Sequence, residues 1–228
     1  MKVILTGSSG FIGAEILSQC LSHPSITSII ALSRRELPIS DPKLKTIILS
    51  DFTSYPASLL SQLGDAEACI YALGTVSLYT PDLSRRVNMD YTLAAANAFA
   101  ASLAPQIKES RSQNFRLVYC SGYLTERDQE RSLWLVGEDR RMRGLLEVRL
   151  EELGVKQAES GFEILIARPA FVFAKGSWFR SMAGAVVQTI AVDELAAAMI
   201  GIALEGSKNQ VCQNGELVSK GRELSRKT

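Results

Sequence analysis

Apolar and polar positions along this chain switch repeatedly between a strand period and a helix period. Lys2–Thr6 is a β-branched run that ends in glycines. Phe11–Ser22 has helical spacing, with Ile12, Ile16 and Leu17 on one face and a stop before Pro24. Short apolar runs bounded by turn residues predict further strands at Ser28–Leu32, Thr46–Leu49, Ala68–Leu73, Arg116–Cys120 and Phe162–Ala167. Helical spacing predicts a short helix over Ser58–Leu63 and a long, alanine-rich one over Asp82–Leu103 that ends near Pro105. It also predicts a helix over Arg143–Leu153, with acid/base pairs one turn apart, and another over Asp193–Leu204. The polar end, Lys220–Thr228, is expected to fray. Strands alternating with helices from the first residue imply an α/β fold, a doubly wound parallel sheet with helices on both faces. No repeat or linker divides residues 1–228, so one domain is expected, with a small substrate-side segment at about 170–190.

The first turn carries the clearest chemistry. Thr6-Gly7-Ser8-Ser9-Gly10-Phe11-Ile12-Gly13 follows a strand and opens a helix, the setting a Rossmann dinucleotide-binding turn requires. Glycines let the backbone turn tightly and approach a pyrophosphate, and the helix N-terminus offers free N–H groups and a positive dipole end. Gly7, Ser9, Gly10, Phe11, Ile12 and Gly13 are therefore candidate cofactor contacts. The second strand ends in Ser33, Arg34 and Arg35. NAD-selective sites place an acidic residue near this point to bind the ribose 2′-hydroxyl. A guanidinium instead pairs bidentately with a 2′-phosphate, so the expected cofactor is NADP(H). The competing reading is that both arginines sit on a solvated loop beside Glu36.

Composition narrows the class further. Of 228 residues, 46% are apolar and 21% charged, and the formal net charge is +1, so no strong field favours nucleic acid or an anionic membrane. No run reaches the roughly 18 apolar residues of a membrane span. The apolar start Met1–Leu5 breaks at Thr6-Gly7, which argues against a targeting signal. Cys20, Cys69, Cys120 and Cys212 are widely spaced and form no CxxC pair; this implies reduced thiols and a cytoplasmic location. His23 is the one histidine, so no metal site is expected.

The order of motifs resembles the extended and atypical branch of the short-chain dehydrogenase/reductase (SDR) superfamily. Beyond the glycine turn, Asp51-Phe52 resembles the segment with the acidic residue that meets the adenine, and Tyr71-Ala72-Leu73-Gly74-Thr75 the turn that passes its ribose. Val87-Asn88-Met89-Asp90-Tyr91 resembles the helix signature of that branch, Cys120-Ser121 the strand end with the active-site serine, and Arg168-Pro169 the turn after the sixth strand. Val192-Asp193-Glu194-Leu195-Ala196 resembles the start of its late helix. The compact length looks most like the Tat-interacting-protein-like oxidoreductases and small epimerase-like proteins. The resemblance adds Asp51, Phe52, Ala72, Leu73, Gly74, Asn88, Arg168 and Pro169 to the expected cofactor contacts.

It also implies a catalytic tyrosine with a lysine four residues later, and here the pattern is broken. By comparison the pair falls at Asp139 and Arg143, and no tyrosine follows Tyr123. Ser121 fits the substrate-orienting serine. Arg143 is a candidate to hold the ribose, Tyr123 a candidate proton donor from the loop after the fifth strand, and Asp139 either a replacement acid or a helix-start carboxylate. Phe171, Phe173, Trp178, Phe179 and Met182 make Phe171–Gln188 an aromatic candidate wall for a small hydrophobic substrate. Three functions stay open: an NADPH-dependent oxidoreductase with a remodelled acid, a non-redox isomerase or cyclase, and an NADP(H)-responsive regulatory protein. The expected partner is a small molecule, with the chain a monomer or homodimer.

Overall fold

The computed structural model describes residues 1–75, 81–134, 136–177 and 188–226. Seven parallel strands form one sheet: β1 (Lys2–Thr6), β2 (Ser28–Ser33), β3 (Leu44–Ile48), β4 (Ala68–Tyr71), β5 (Phe115–Cys120), β6 (Phe162–Arg168) and, late in the chain, β9 (Val211–Gln213). Their spatial order is β3-β2-β1-β4-β5-β6-β9. The order reverses between β1 and β4, which opens a crevice at the carboxyl ends of those two strands. A separate pair, β7 (Phe171–Phe173) with β8 (Thr189–Ala191), follows β6.

Alternate residues of each strand serve opposite faces, and both faces are covered. Ile4, Ile30, Cys69, Tyr71, Leu117 and Ile164 pack with helices α2 (Ala57–Leu63), α4 (Tyr91–Arg111) and α5 (Gly137–Lys156). Val3, Leu5, Ile29, Ile70, Val118 and Leu165 pack with α1 (Phe11–Ser22), α6 (Val192–Glu205) and α7 (Asn214–Ser225). This two-sided burial is why the strands read as nearly unbroken apolar runs.

Three expectations are corrected. The single helix over Asp82–Leu103 is α3 (Pro81–Arg85), a π-helical turn (Arg86–Asp90) and then α4. The wider turn carries Asn88, whose buried amide bonds the backbone outside the helix. Pro105 does not end α4, which runs on to Arg111. Phe99, Leu103 and Ile107 are buried on both sides of Pro105, and that continuous apolar face outweighs the one lost backbone bond. The fraying expected from Lys220 is replaced by α7. Leu217 is buried there, and Gly221 lies against α6, where a Cβ would stand 2.1 Å from the Glu194 carbonyl oxygen. Strands β7, β8 and β9 have only three residues each, too short for periodicity to reveal. Trp178, Phe179 and Met182 lie outside the described residues.

Candidate functional site

The turn from β1 into α1 is a tight backbone cradle. Gly7 has φ +74°, and a Cβ there would lie 2.4 Å from the Ala72 carbonyl oxygen. A Cβ on Gly13 would lie 2.1 Å from the Gly7 oxygen, so α1 packs directly on the turn that precedes it. Gly10 caps α1 without a side chain, and no acidic residue occupies the first helical turn, so its N–H groups and positive dipole end carry no capping carboxylate. Ser8 is buried, and its hydroxyl has no hydrogen-bond partner within the described structure.

This turn forms one end of a cavity of about 460 Å³, lined by Gly7–Ser9, Leu32–Arg35, Phe52, Leu73–Thr75, Leu83, Val87 and Tyr91. Arg34 and Arg35 are both exposed at its rim, and neither guanidinium has a carboxylate partner among the described residues. Phe52 is buried with its ring 5.7 Å from that of Tyr91, and Arg86 lies over the other ring at 5.8 Å. Asp51 accepts the backbone N–H and the hydroxyl of Thr53 and stands 3.8 Å from Arg86, which together hold its carboxyl below the usual range. It lies just behind Phe52, outside the cavity lining. Phe11 is exposed beyond Gly10, and Ile12 packs into the core on the α1 side.

Asn88 does not line the cavity; it positions a residue that does. Its Oδ1 accepts the Thr75 N–H at 2.9 Å, and its Nδ2 donates to the Thr75 carbonyl and to Ser84 Oγ. Ser84 Oγ donates to Asp139 at 2.7 Å, Asp139 pairs with Arg143 at 2.9 Å, and Arg143 returns to the Thr75 carbonyl at 3.3 Å. The five residues close a ring that ties the loop after β4 to α3 and α5. Asp139 and Arg143 thus stand at the positions expected for the missing tyrosine and lysine, paired with each other. Both oxygens of the Asp139 carboxyl are engaged, one by Ser84 and the other by Arg143.

Ser121, at the carboxyl end of β5, donates to Glu147 Oε1 at 2.5 Å. Glu147 is fully buried and also receives Arg127 at 3.0 Å and Arg168. Arg127 reaches on to Glu151 at 2.7 Å. Arg168, expected at the cofactor, is therefore drawn into this inner ion-pair cluster, and Pro169 behind it is buried. Asp139, Arg143, Glu147 and Glu151 recur every four residues along α5, so one stripe of that helix carries the whole arrangement. Helix α5 fits against the loop after β5 because residue 144 is glycine, where a Cβ would sit 1.7 Å from the Glu126 carbonyl oxygen. Tyr123, on that loop, is 46% exposed, and its phenol makes no hydrogen bond among the described residues. Burial pushes the neighbouring Cys120 thiol up to about 12. Glu147 and Ser84 were not singled out from the sequence. The available signal was the four-residue spacing on α5, which reads equally well as solvated ion pairs.

No family model matches the chain. Over 104 residues it is 34% identical to leucinostatins biosynthesis cluster protein T of Purpureocillium lilacinum, covering 44% of this chain and 38% of that one. Over 103 residues it is 29% identical to the mitochondrial protein FMP52 of Candida albicans, covering 44% and 45%. The match thus spans less than half the length of these curated relatives. The FMP52 proteins of Candida albicans, Emericella nidulans and Eremothecium gossypii are all named mitochondrial, which overturns the cytoplasmic location expected from the cysteines. The four cysteines are indeed free, but a free thiol does not distinguish one reducing compartment from another. Among the described residues no helix is long and apolar enough to cross a membrane.

Among solved structures, the yeast methylglyoxal/isovaleraldehyde reductase Gre2 complexed with NADPH superposes with a TM-score of 0.70 at 14% identity, over 93% of this chain and 77% of that one. A short chain dehydrogenase from Burkholderia cenocepacia in complex with NADP gives 0.69 at 18% identity, over 99% and 91%. The chain has the α/β Rossmann fold of these short-chain dehydrogenase and reductase structures.

Proposed function

We propose that this protein binds NADP(H) and acts as an NADP(H)-dependent oxidoreductase on a small hydrophobic substrate, with a catalytic site that departs from the Tyr-x-x-x-Lys pattern. The observation that carries the reading is the cavity between the glycine turn and the Ser33–Arg35 rim. One end offers uncapped helix N–H groups and the unpartnered Ser8 hydroxyl, the donor set a pyrophosphate needs. The other offers two unpaired guanidiniums, the donor set for a 2′-phosphate. Phe52, Val87 and Tyr91 supply an apolar and aromatic stretch between rim and floor, suited to an adenine. When bound, the cofactor would supply a hydride donor or acceptor. The residues of this chain would fix its ends and hold Thr75, through Asn88 and Arg143, in the cavity wall. The Gre2 and Burkholderia structures, solved with NADPH and NADP, support the choice of cofactor. Exposed Tyr123, Leu124 and Phe171 follow the carboxyl ends of β5 and β6 and would give a substrate apolar surface.

Calorimetry tests the reading. NADPH should bind at least about tenfold more tightly than NADH, a gap of about 1.4 kcal/mol, and Arg34→Ala with Arg35→Ala should remove most of it. Equal affinities in the unmutated protein would refute the cofactor assignment. The pairing of Asp139 with Arg143 keeps a second, non-redox reading in view, because neither group is set up to deliver a proton. An assay that follows substrate and NADPH together separates the two, since turnover without NADPH oxidation selects the second.

A further inference from the structure

We infer that a second cavity, on the other side of α3 from the cofactor cavity, is a binding site for a protonated amine with an apolar body. The cavity holds about 620 Å³, within the range of small-molecule sites. Helix α3 and the turn after it serve both cavities. Leu83 and Val87 line the cofactor side, and Asp82, Ser84, Arg85 and Met89 line the other. The remaining wall is mainly the start of α5, with Glu138, Asp139, Arg141, Met142 and Leu145. Met89, Met142 and Leu145 give the site its apolar surface, and unbranched methionines adapt to irregular apolar shapes. No residue lines both cavities, so the inference does not rest on the cofactor reading.

The class of ligand follows from which polar groups are already spent. Asp82, Arg85 and Glu138 are exposed, and together with Arg141 their charges cancel, so the mouth selects no sign. The inner wall decides. Buried Ser84 gives its proton to Asp139 Oδ1 at 2.7 Å and receives Asn88 Nδ2 at 3.0 Å, so it has no donor left. Asp139 takes Ser84 on one oxygen and Arg143 on the other, at 2.9 Å. Each carboxylate oxygen has two lone pairs, so each keeps one. Asp139 is only half-buried and lines the cavity, where it stays accessible to a ligand. A ligand carboxylate or carbonyl set against Ser84 and Asp139 would meet lone pairs only. An ammonium brings them three N–H donors and a positive charge, while its carbon body covers Met89, Met142 and Leu145.

Three probes that share one body test this: 4-phenylbutylamine, 4-phenylbutan-1-ol and 4-phenylbutanoate. Each is titrated at neutral pH into nucleotide-free protein carrying carbon-13 methyl groups on its methionines. The amine should bind at least about tenfold more tightly than either relative, the scale of one hydrogen bond to a charged group. At saturation it should move the methyl signals of Met89 and Met142 and leave that of Met199, on the other face of the sheet, in place. Asp139→Asn, which keeps the shape of the side chain, should bring amine and alcohol to about equal affinity. Leu145→Trp, which fills the cavity, should abolish the Met89 and Met142 shifts. The inference is overturned if the alcohol or the carboxylate binds as tightly as the amine, or if the amine does not bind. Amine binding that moves neither methyl signal, or a preference undiminished in Asp139→Asn, overturns it equally. Should a variant fail to fold, the affinities and methyl shifts of the unmutated protein decide the matter. NADPH is absent from every sample, so failure here leaves the cofactor reading untouched.

Discussion

At the scale of single residues, Glu147 organises the carboxyl ends of β5 and β6. It is fully buried, yet it satisfies Ser121 and two arginines at once, so removing it would leave Arg168 without its counter-charge and Arg127 with Glu151 alone. Breaking a buried pair from one side typically costs about 3–5 kcal/mol, and Glu147→Ala should lower unfolding free energy by about that amount in urea titrations. A loss under 1 kcal/mol would mean that water already reaches the cluster. The sequence singled out Ser121 as an active-site serine and Arg168 as a cofactor contact because each follows a predicted strand inside a recognisable dipeptide, and the structure places both against Glu147. It passed over Glu147 because an acidic residue in Arg143–Leu153 reads as one more solvated ion pair. Burial, which turns that carboxylate into a hub, depends on where α5 lies against β5 and β6, and spacing alone carries no record of that.

At the scale of elements, the glycine turn was legible almost to the residue, since the bounds Lys2–Thr6 and Phe11–Ser22 are those observed. Strand, turn and helix each leave a local signal there, and the three agree. The structure adds the reason Gly13 must lack a side chain, which is the 2.1 Å approach to the Gly7 oxygen. Gly13→Val should push α1 off the turn, abolish dinucleotide binding and lower the melting temperature. A folded variant that binds NADPH as before would contradict the packing described. The C-terminal helix was not legible, because its apolar face is narrow and its polar residues dominate the count. Its anchorage can be tested at Gly221, where any Cβ meets the α6 backbone. Overpacking of this kind costs about 1–3 kcal/mol, so Gly221→Val should lower the unfolding free energy by that amount without changing cofactor affinity, if α7 is purely structural.

For the whole molecule, the parallel sheet and its two helical layers followed from the alternation of periods, whereas the π turn and the passage of α4 through Pro105 did not. Both depart from local preference because tertiary burial overrides it. The same burial gives the molecule a marked response to alkali. Cys20 and Cys120 are pushed up to about 12 by burial, and Cys69, Tyr55, Tyr71 and Tyr119 are pushed upward for the same reason. Below the ordinary thiol value of 9.0 folded and unfolded chains hold these protons alike. Above it the unfolded chain releases them first, so stability should fall as pH rises from about 9 toward 12. Urea midpoints measured at intervals across that window should decline steadily, and Cys20 and Cys69 should react with a thiol reagent only as the protein unfolds. A flat profile would mean that these groups are wetter than the structure shows.

The 1.7 Å approach at Gly144 also reaches beyond this molecule. Helix α5 and the loop carrying Tyr123 are in backbone contact there, so the loop lies as close to the helix as any backbone can. The same contact makes position 144 a sorting mark among related chains. A chain with alanine or anything larger there must route this loop along a different path, and its serine cannot be assumed to sit against a buried glutamate.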